Sequence, residues 1–243
     1  MHKLFNSLKM KYDALLFRQL NDTKSPLRDF KIKIETKCLV LSPYPGCETI
    51  GMGGLIAQYP KNFEVLSLTN GSSLIKNVSR IEATNIKREQ FHQVMKLARV
   101  RGYKIFDINS GELKNEYKKF SKIDISEADF IFIPNPLCCD SDTVALVEHF
   151  RKILKTNEYK KTLQIYFWED KTTLSNINYC ANITNITSVK KEMLEKYYPN
   201  NERLISAVMG LNKFRALEVN ADYAECFCCL CAKDFLNFPL FQN

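Results

Sequence analysis

The stretch CLVLSPYPGCETIGMGG at positions 38–54 constrains the fold of this 243-residue chain more than any other segment. An unbroken apolar run, Cys38–Leu41, predicts a strand buried on both faces. Ser42-Pro43-Tyr44-Pro45-Gly46 then forces a rigid loop, and Gly51, Gly53 and Gly54 allow a helix to pass close to other backbone. A buried strand entering a tight loop and a helix is the opening unit of a parallel α/β sheet.

The same unit recurs along the chain. Strands are expected at Glu64–Leu68, Lys104–Ile108, Asp129–Ile133 and Thr162–Trp168, and helices at Thr49–Gln58, Glu82–Arg101 and Thr143–Lys155. Phe91, Val94, Met95 and Ala98 make one apolar stripe, and Val144, Val147, Phe150, Ile153 and Leu154 another. Gly102 stops the first long helix. The charged stretch 111–124 reads as a solvated connection. The alternation predicts a three-layer α/β fold, Rossmann-like, with a mostly parallel sheet and helices on both faces. In such sheets ligands sit beyond the carboxyl ends of the strands.

Residues 1–35 form a basic leader, and 36–243 the α/β body. Positions 1–37 carry nine Lys/Arg against four Asp/Glu, and Leu4, Leu8, Tyr12, Leu15 and Leu16 recur at helical spacing. Such a helix docks on the body, on a protein partner or second copy, or on an anionic surface. No apolar run reaches 18 residues and charges interrupt the amino terminus, so cytoplasmic residence is the expectation. The net charge of +8 is spread among acidic residues and gives no strong nucleic-acid signal.

Nine cysteines do not form a secreted framework, and Cys226-Phe227-Cys228-Cys229-Leu230-Cys231 lacks a second CxxC pair, which favours buried thiols over a structural metal. The loops after Leu41 and Ile133 meet at one sheet end, bringing Tyr44, Cys47 and Glu48 towards Cys138, Cys139, Asp140 and Asp142. The three histidines, His2, His92 and His149, lie outside both loops and read as surface or packing residues. Cys139 beside Cys47 is a candidate nucleophile, but neither loop supplies the histidine that such a thiol needs.

Taken in order, these segments resemble the PIG-L/LmbE family of zinc-dependent N-acetyl-sugar deacetylases over roughly residues 36–235. VLSPYPGCETIGMGGLIA is similar to the family's strand and P-H-P-D-D-E-x-x-x-G-G loop, LTNG to its next strand exit, and Arg88-Glu89 to its R-x-E region. ADFIFIPNP with CDSDTVALVEHF resembles its H-P-D-H loop, and ITNITSVKKEMLEKY with DYAECFCCL its carboxyl-terminal motifs. The resemblance puts the first metal-binding His on Tyr44, the catalytic-base Asp on Gly46, the metal-binding Asp on Cys47 and the following Glu on Glu48. The assisting His falls on Cys139 and the third ligand on Asp142.

A His/Asp/His shell has thus become Tyr/Cys/Asp. A hydrolytic zinc lowers the pKa of its bound water and a carboxylate removes the proton, which Gly46 cannot do. The expectation is loss of zinc-dependent deacetylation with no cofactor, the pocket of Tyr44, Gly46, Cys47, Asn135 and Asp140 being kept for a sugar conjugate, or the fold for assembly. The alternative is an N-acyl-sugar amide hydrolase holding zinc through Cys47 and Asp142, with Glu48 or Cys139 in a catalytic role.

Overall fold

A computed structural model describes residues 27–238. Eight strands form one sheet: β1 (Arg28–Asp29), β2 (Cys38–Ser42), β3 (Phe63–Ser67), β4 (Gly102–Ile105), β5 (Phe130–Pro134), β6 (Gln164–Trp168), β7 (Tyr179–Asn182) and β8 (Ala224–Cys231). The order across the sheet is β1-β7-β8-β6-β5-β2-β3-β4. Every pairing is parallel except the two made by β8, which runs against β6 and β7.

Strand alternation sorts the core into two layers. Leu39, Leu41, Leu66, Ile131, Ile133, Ile165 and Phe167 face α4 (Ser141–Thr156), and Phe235 of the short α7 (Ala232–Leu236) joins them. On the other face Val40, Val65, Phe132, Tyr166 and Trp168 pack with α1 (Cys47–Gln58), α2 (Arg80–Leu97) and α5 (Thr187–Tyr197). Helix α6 (Glu202–Ala216) lies outside, touching β8 and α5. This is the three-layer Rossmann-like architecture that the alternation implies.

Two readings need correction. Segment 111–124 is not simply solvated, because it folds into a 3₁₀ turn and the short helix α3 (Tyr117–Phe120). It buries Leu113, Phe120 and Ile123 in the same core layer as α4. The run 226–231 is the antiparallel strand β8, and Cys226 is not a thiol: it is disulfide-bonded to Cys180 directly across the β7–β8 ladder. Cys228 and Cys229 are buried free thiols on opposite faces, both pushed up to about 12, chiefly by burial. Within the leader, residues 27–35 carry β1, and Phe30 packs among Phe132, Tyr166 and Phe227. The helical reading of Leu4–Leu16 lies outside the described residues. Among the described residues no helix is long and apolar enough to cross a membrane.

Candidate functional site

Parallel strands β2, β5 and β6 end side by side, and their exit loops build the site. The β2 loop is rigid. Ser42 Oγ sits 2.8 Å from the Tyr44 carbonyl and 2.9 Å from Glu48 Oε2, while the Gly46 and Thr49 donors bind the same carboxylate at 3.0 and 3.1 Å. Burial pushes the Glu48 pKa up, and these donors oppose the shift. Glu48 therefore braces the start of α1 from inside, facing Ser42 and Tyr197 rather than the site's mouth.

Gly46 has φ +101°, a left-handed conformation that favours glycine. A Cβ built there would lie 2.6 Å from the Tyr198 hydroxyl, so the tyrosine at the end of α5 fills the space into which a side chain at 46 would project. Behind the loop, a Cβ at Gly51 would lie 2.1 Å from the indole of Trp168, which lets β6 and α1 close on each other.

Cys47 is fully buried, and its thiol donates to Asp170 Oδ2 at 3.5 Å. Burial first, then the carboxylates of Asp170 and Glu48, hold the thiol well above its ordinary pKa. Asp170, in the β6 exit, is itself raised by burial and held in check by the Thr172 amide and Cys47. Tyr44 lies against this pair with 4% of its surface exposed, and its hydroxyl is buried without a hydrogen-bond partner among the described residues. Burial, with Cys47, Asp170, Tyr198 and Asp140 around it, raises its pKa far above that of a free phenol. The ammonium of Lys171 caps the ring at 5.3 Å.

The β5 loop contributes differently. Asn135 is buried and ties the loops together, its amide reaching the Thr173 carbonyl at 3.2 Å and its carbonyl accepting from Leu137 N–H at 3.1 Å. Asp140 caps α4 by accepting from the amides of Asp142 and Thr143 at 3.1 Å. Asp142 turns away, its two oxygens accepting from the Gly111 and Leu113 amides at 2.7 and 3.3 Å. Cys138 is buried, whereas Cys139 is exposed. His149 Nε2 contacts the Leu113 carbonyl at 2.9 Å among Tyr117 and Phe120, a packing role.

The structure thus brings Tyr44, Cys47 and Asp140 around Asp170, and directs Glu48 and Asp142 to scaffolding. These donors do not fit a catalytic zinc. The strand-end loops supply no imidazole, Cys47 is buried and donates to Asp170, and Asp142 spends both oxygens on backbone amides. Among the described residues no group of three or more His, Cys, Asp or Glu side chains is arranged to hold a metal ion. Sequence reading missed Asp170, although its place directly after the strand ending at Trp168 marks a sheet-end loop. It also missed Tyr197 and Tyr198, which carry no local signal.

No protein-family model matches the chain, and no curated protein sequence matches it. Solved structures do share its fold. N,N'-diacetylchitobiose deacetylase of Pyrococcus horikoshii superposes with a TM-score of 0.71 at 18% identity, over 97% of this chain and 94% of the enzyme. A conserved protein of Thermus thermophilus gives 0.65 at 13%, over 79% of this chain and 93% of its own. The 4-carboxy-2-hydroxymuconate hydratase of Pseudomonas putida gives 0.62 at 14%, over 80% and 96%. A deacetylase and a hydratase thus share one sheet architecture with this chain, and at these identities the likeness is one of fold.

Proposed function

We propose that this chain is a divergent PIG-L/LmbE-like protein that no longer carries out zinc-dependent deacetylation and uses its strand-end site to bind a small sugar conjugate. The observation that carries this reading is the buried Tyr44 hydroxyl, left without a partner among the described residues inside a ring of Cys47, Asp170, Asp140 and Tyr198. A buried unpaired hydroxyl is costly, and a ligand hydroxyl or carbonyl reaching it removes that cost. Aromatic rings beside a few polar groups suit the mixed apolar and polar faces of a sugar. Gly46 offers no carboxylate to act as base and Asp142 is spent on backbone amides, so the same loops argue against hydrolysis. Cytoplasmic residence is part of the proposal, the Cys180–Cys226 bridge being buried where a reductant reaches it only as the chain opens.

The test combines three measurements on reduced, untagged protein. Metal content after zinc reconstitution should stay far below one equivalent, and acetate release from N-acetylglucosamine conjugates should stay at background. Titration with glucosamine and N-acetylglucosamine should shift NMR signals of the 44–48 and 170–172 loops, with Tyr44→Phe weakening the effect. Stoichiometric zinc that disappears in Cys47→Ala and Asp142→Ala, together with acetate release, would instead establish the altered Cys/Asp hydrolase.

A further inference from the structure

Helix α6 has two dissimilar faces. Ile205, Val208, Asn212 and Ala216 are buried against the body. The opposite face runs Ala207, Gly210, Leu211 and Phe214 and continues into the C-cap residue Leu217, with Phe214 61% and Leu217 79% exposed. These positions recur at three- and four-residue intervals, so they form a continuous apolar stripe rather than scattered surface residues.

Gly210 adds an independent indication. A glycine within a helix costs roughly 1 kcal/mol against alanine. Here a Cβ would meet nothing within 4 Å among the described residues, so nothing in their packing calls for its absence. A missing side chain at the centre of an exposed apolar stripe lets another helix approach closely.

The ends of the stripe identify the partner. Arg203 lies on the same face in the first turn of α6 and Glu218 in the turn just beyond its last residue, both exposed and neither with an ion-pair partner among the described residues. A second copy of α6, antiparallel about a two-fold axis between Gly210 and Leu211, sets Arg203 of each copy opposite Glu218 of the other. The same axis sets each Phe214 over the other copy's Ala207, each Gly210 opposite Leu211, and each Leu217 near Leu204. Large meets small and positive meets negative twice, as a two-fold interface requires. A parallel pair would set like charge against like.

We infer that the chain forms a two-fold dimer through the exposed face of α6. The helix is 15 residues long. A single pair of such helices falls in the small class of interface, so the association is expected in the micromolar range.

Sedimentation velocity on the full chain from about 1 to 200 µM tests this, the span covering a micromolar Kd. Wild type should shift from monomer to dimer, and Phe214→Glu should weaken dimerisation at least ~100-fold, because it places a charge at the centre of the patch. Circular dichroism and Tm checks the fold of that variant, whose side chain is exposed. Arg203→Glu and Glu218→Arg should each weaken association roughly tenfold by creating two like-charge contacts. An equimolar mixture of those two variants should regain wild-type association, since the mixed dimer restores both opposite-charge pairs. A monomer at every concentration overturns the inference, as does association unchanged by Phe214→Glu or a mixture that fails to recover. A monomer in which Phe214→Glu exposes residues 1–26 to protease overturns it too, assigning the face to the chain's own leader.

Discussion

Residue 46 shows how a single position closes the site. With φ at +101° and the Tyr198 hydroxyl 2.6 Å from where a Cβ would sit, Gly46→Ala combines backbone strain with overlap and should cost about 2–3 kcal/mol in urea unfolding. In a Tyr198→Phe background the nearest oxygen is gone, so the same substitution should cost roughly 1 kcal/mol less. Equal costs in both backgrounds would separate Tyr198 from this space. Lys87 lies beneath the same tyrosines, donating to the Tyr197 carbonyl at 3.2 Å, and burial lowers its pKa to about 8 against the pull of Glu48. The unfolded chain holds that proton up to about pH 10.5, so this residue's contribution to stability grows as pH rises from 8 towards 10.5. Relative to Lys87→Met, wild type should gain roughly 2 kcal/mol across that window, the full shift being reduced for partial solvent screening. A constant difference between the two proteins at pH 7.5, 9 and 10.5 would refute it. The site residues Tyr44, Gly46 and Cys47 are legible in the sequence because they stand in one contiguous loop. Tyr198, which fills the space beside Gly46, could not, because it arrives from 152 positions away through tertiary packing.

Between elements, one buried ion pair joins four of them. Lys190 of α5 lies 2.7 Å from Glu225 of β8, both side chains fully buried. The ammonium also donates to the Ile50 carbonyl of α1 at 3.0 Å and to Asn212 of α6 at 2.7 Å. Glu225 in turn accepts from the Gly54 and Leu55 amides of α1 at 2.8 and 2.7 Å. Each charge is fully satisfied, so removing one partner strands the other: Lys190→Met should cost about 3–5 kcal/mol. Lys190→Met/Glu225→Leu should cost clearly less than the two single changes summed, and strict additivity by denaturant unfolding would show that the pair is not coupled. The elements visible in the sequence were those with strong local pattern. Strand β2 is legible to within one residue, and α2 and α4 within a few, from their apolar runs and stripes. Segment 111–124 misled because its charges dominate the composition while Leu113, Phe120 and Ile123 anchor it. Strands β1 and β7 are too short for a period to show, and exist through pairing with distant partners.

At the scale of the molecule, the Cys180–Cys226 bridge closes a loop of 46 residues that contains both α5 and α6. The bridge adjoins Glu225, so the strand pair it fastens also carries the anchor beneath α1 and, through α1, the loop of Tyr44 and Cys47. Constraint of the unfolded chain by a loop of that length is worth at most ~4 kcal/mol in the entropic treatment. Unfolding in urea with reductant, or of the Cys180→Ala/Cys226→Ala variant, should therefore show stability lower by roughly 2–4 kcal/mol. Both cysteines are buried in the folded state, at 0% and 2% exposure, so reductant added to native protein should act only as fast as the chain opens. If the double variant matched wild type in stability while thiol titration of the unfolded wild type counted nine free cysteines, the two residues would be an unlinked thiol pair in solution. The sequence named Cys226 as one of a run of buried sulfurs but could not pair it, because its partner is chosen by an antiparallel strand added to an otherwise parallel sheet. That same strand reversal turns a local run of cysteines into the clamp holding α5, and with it Tyr197 and Tyr198, against the site.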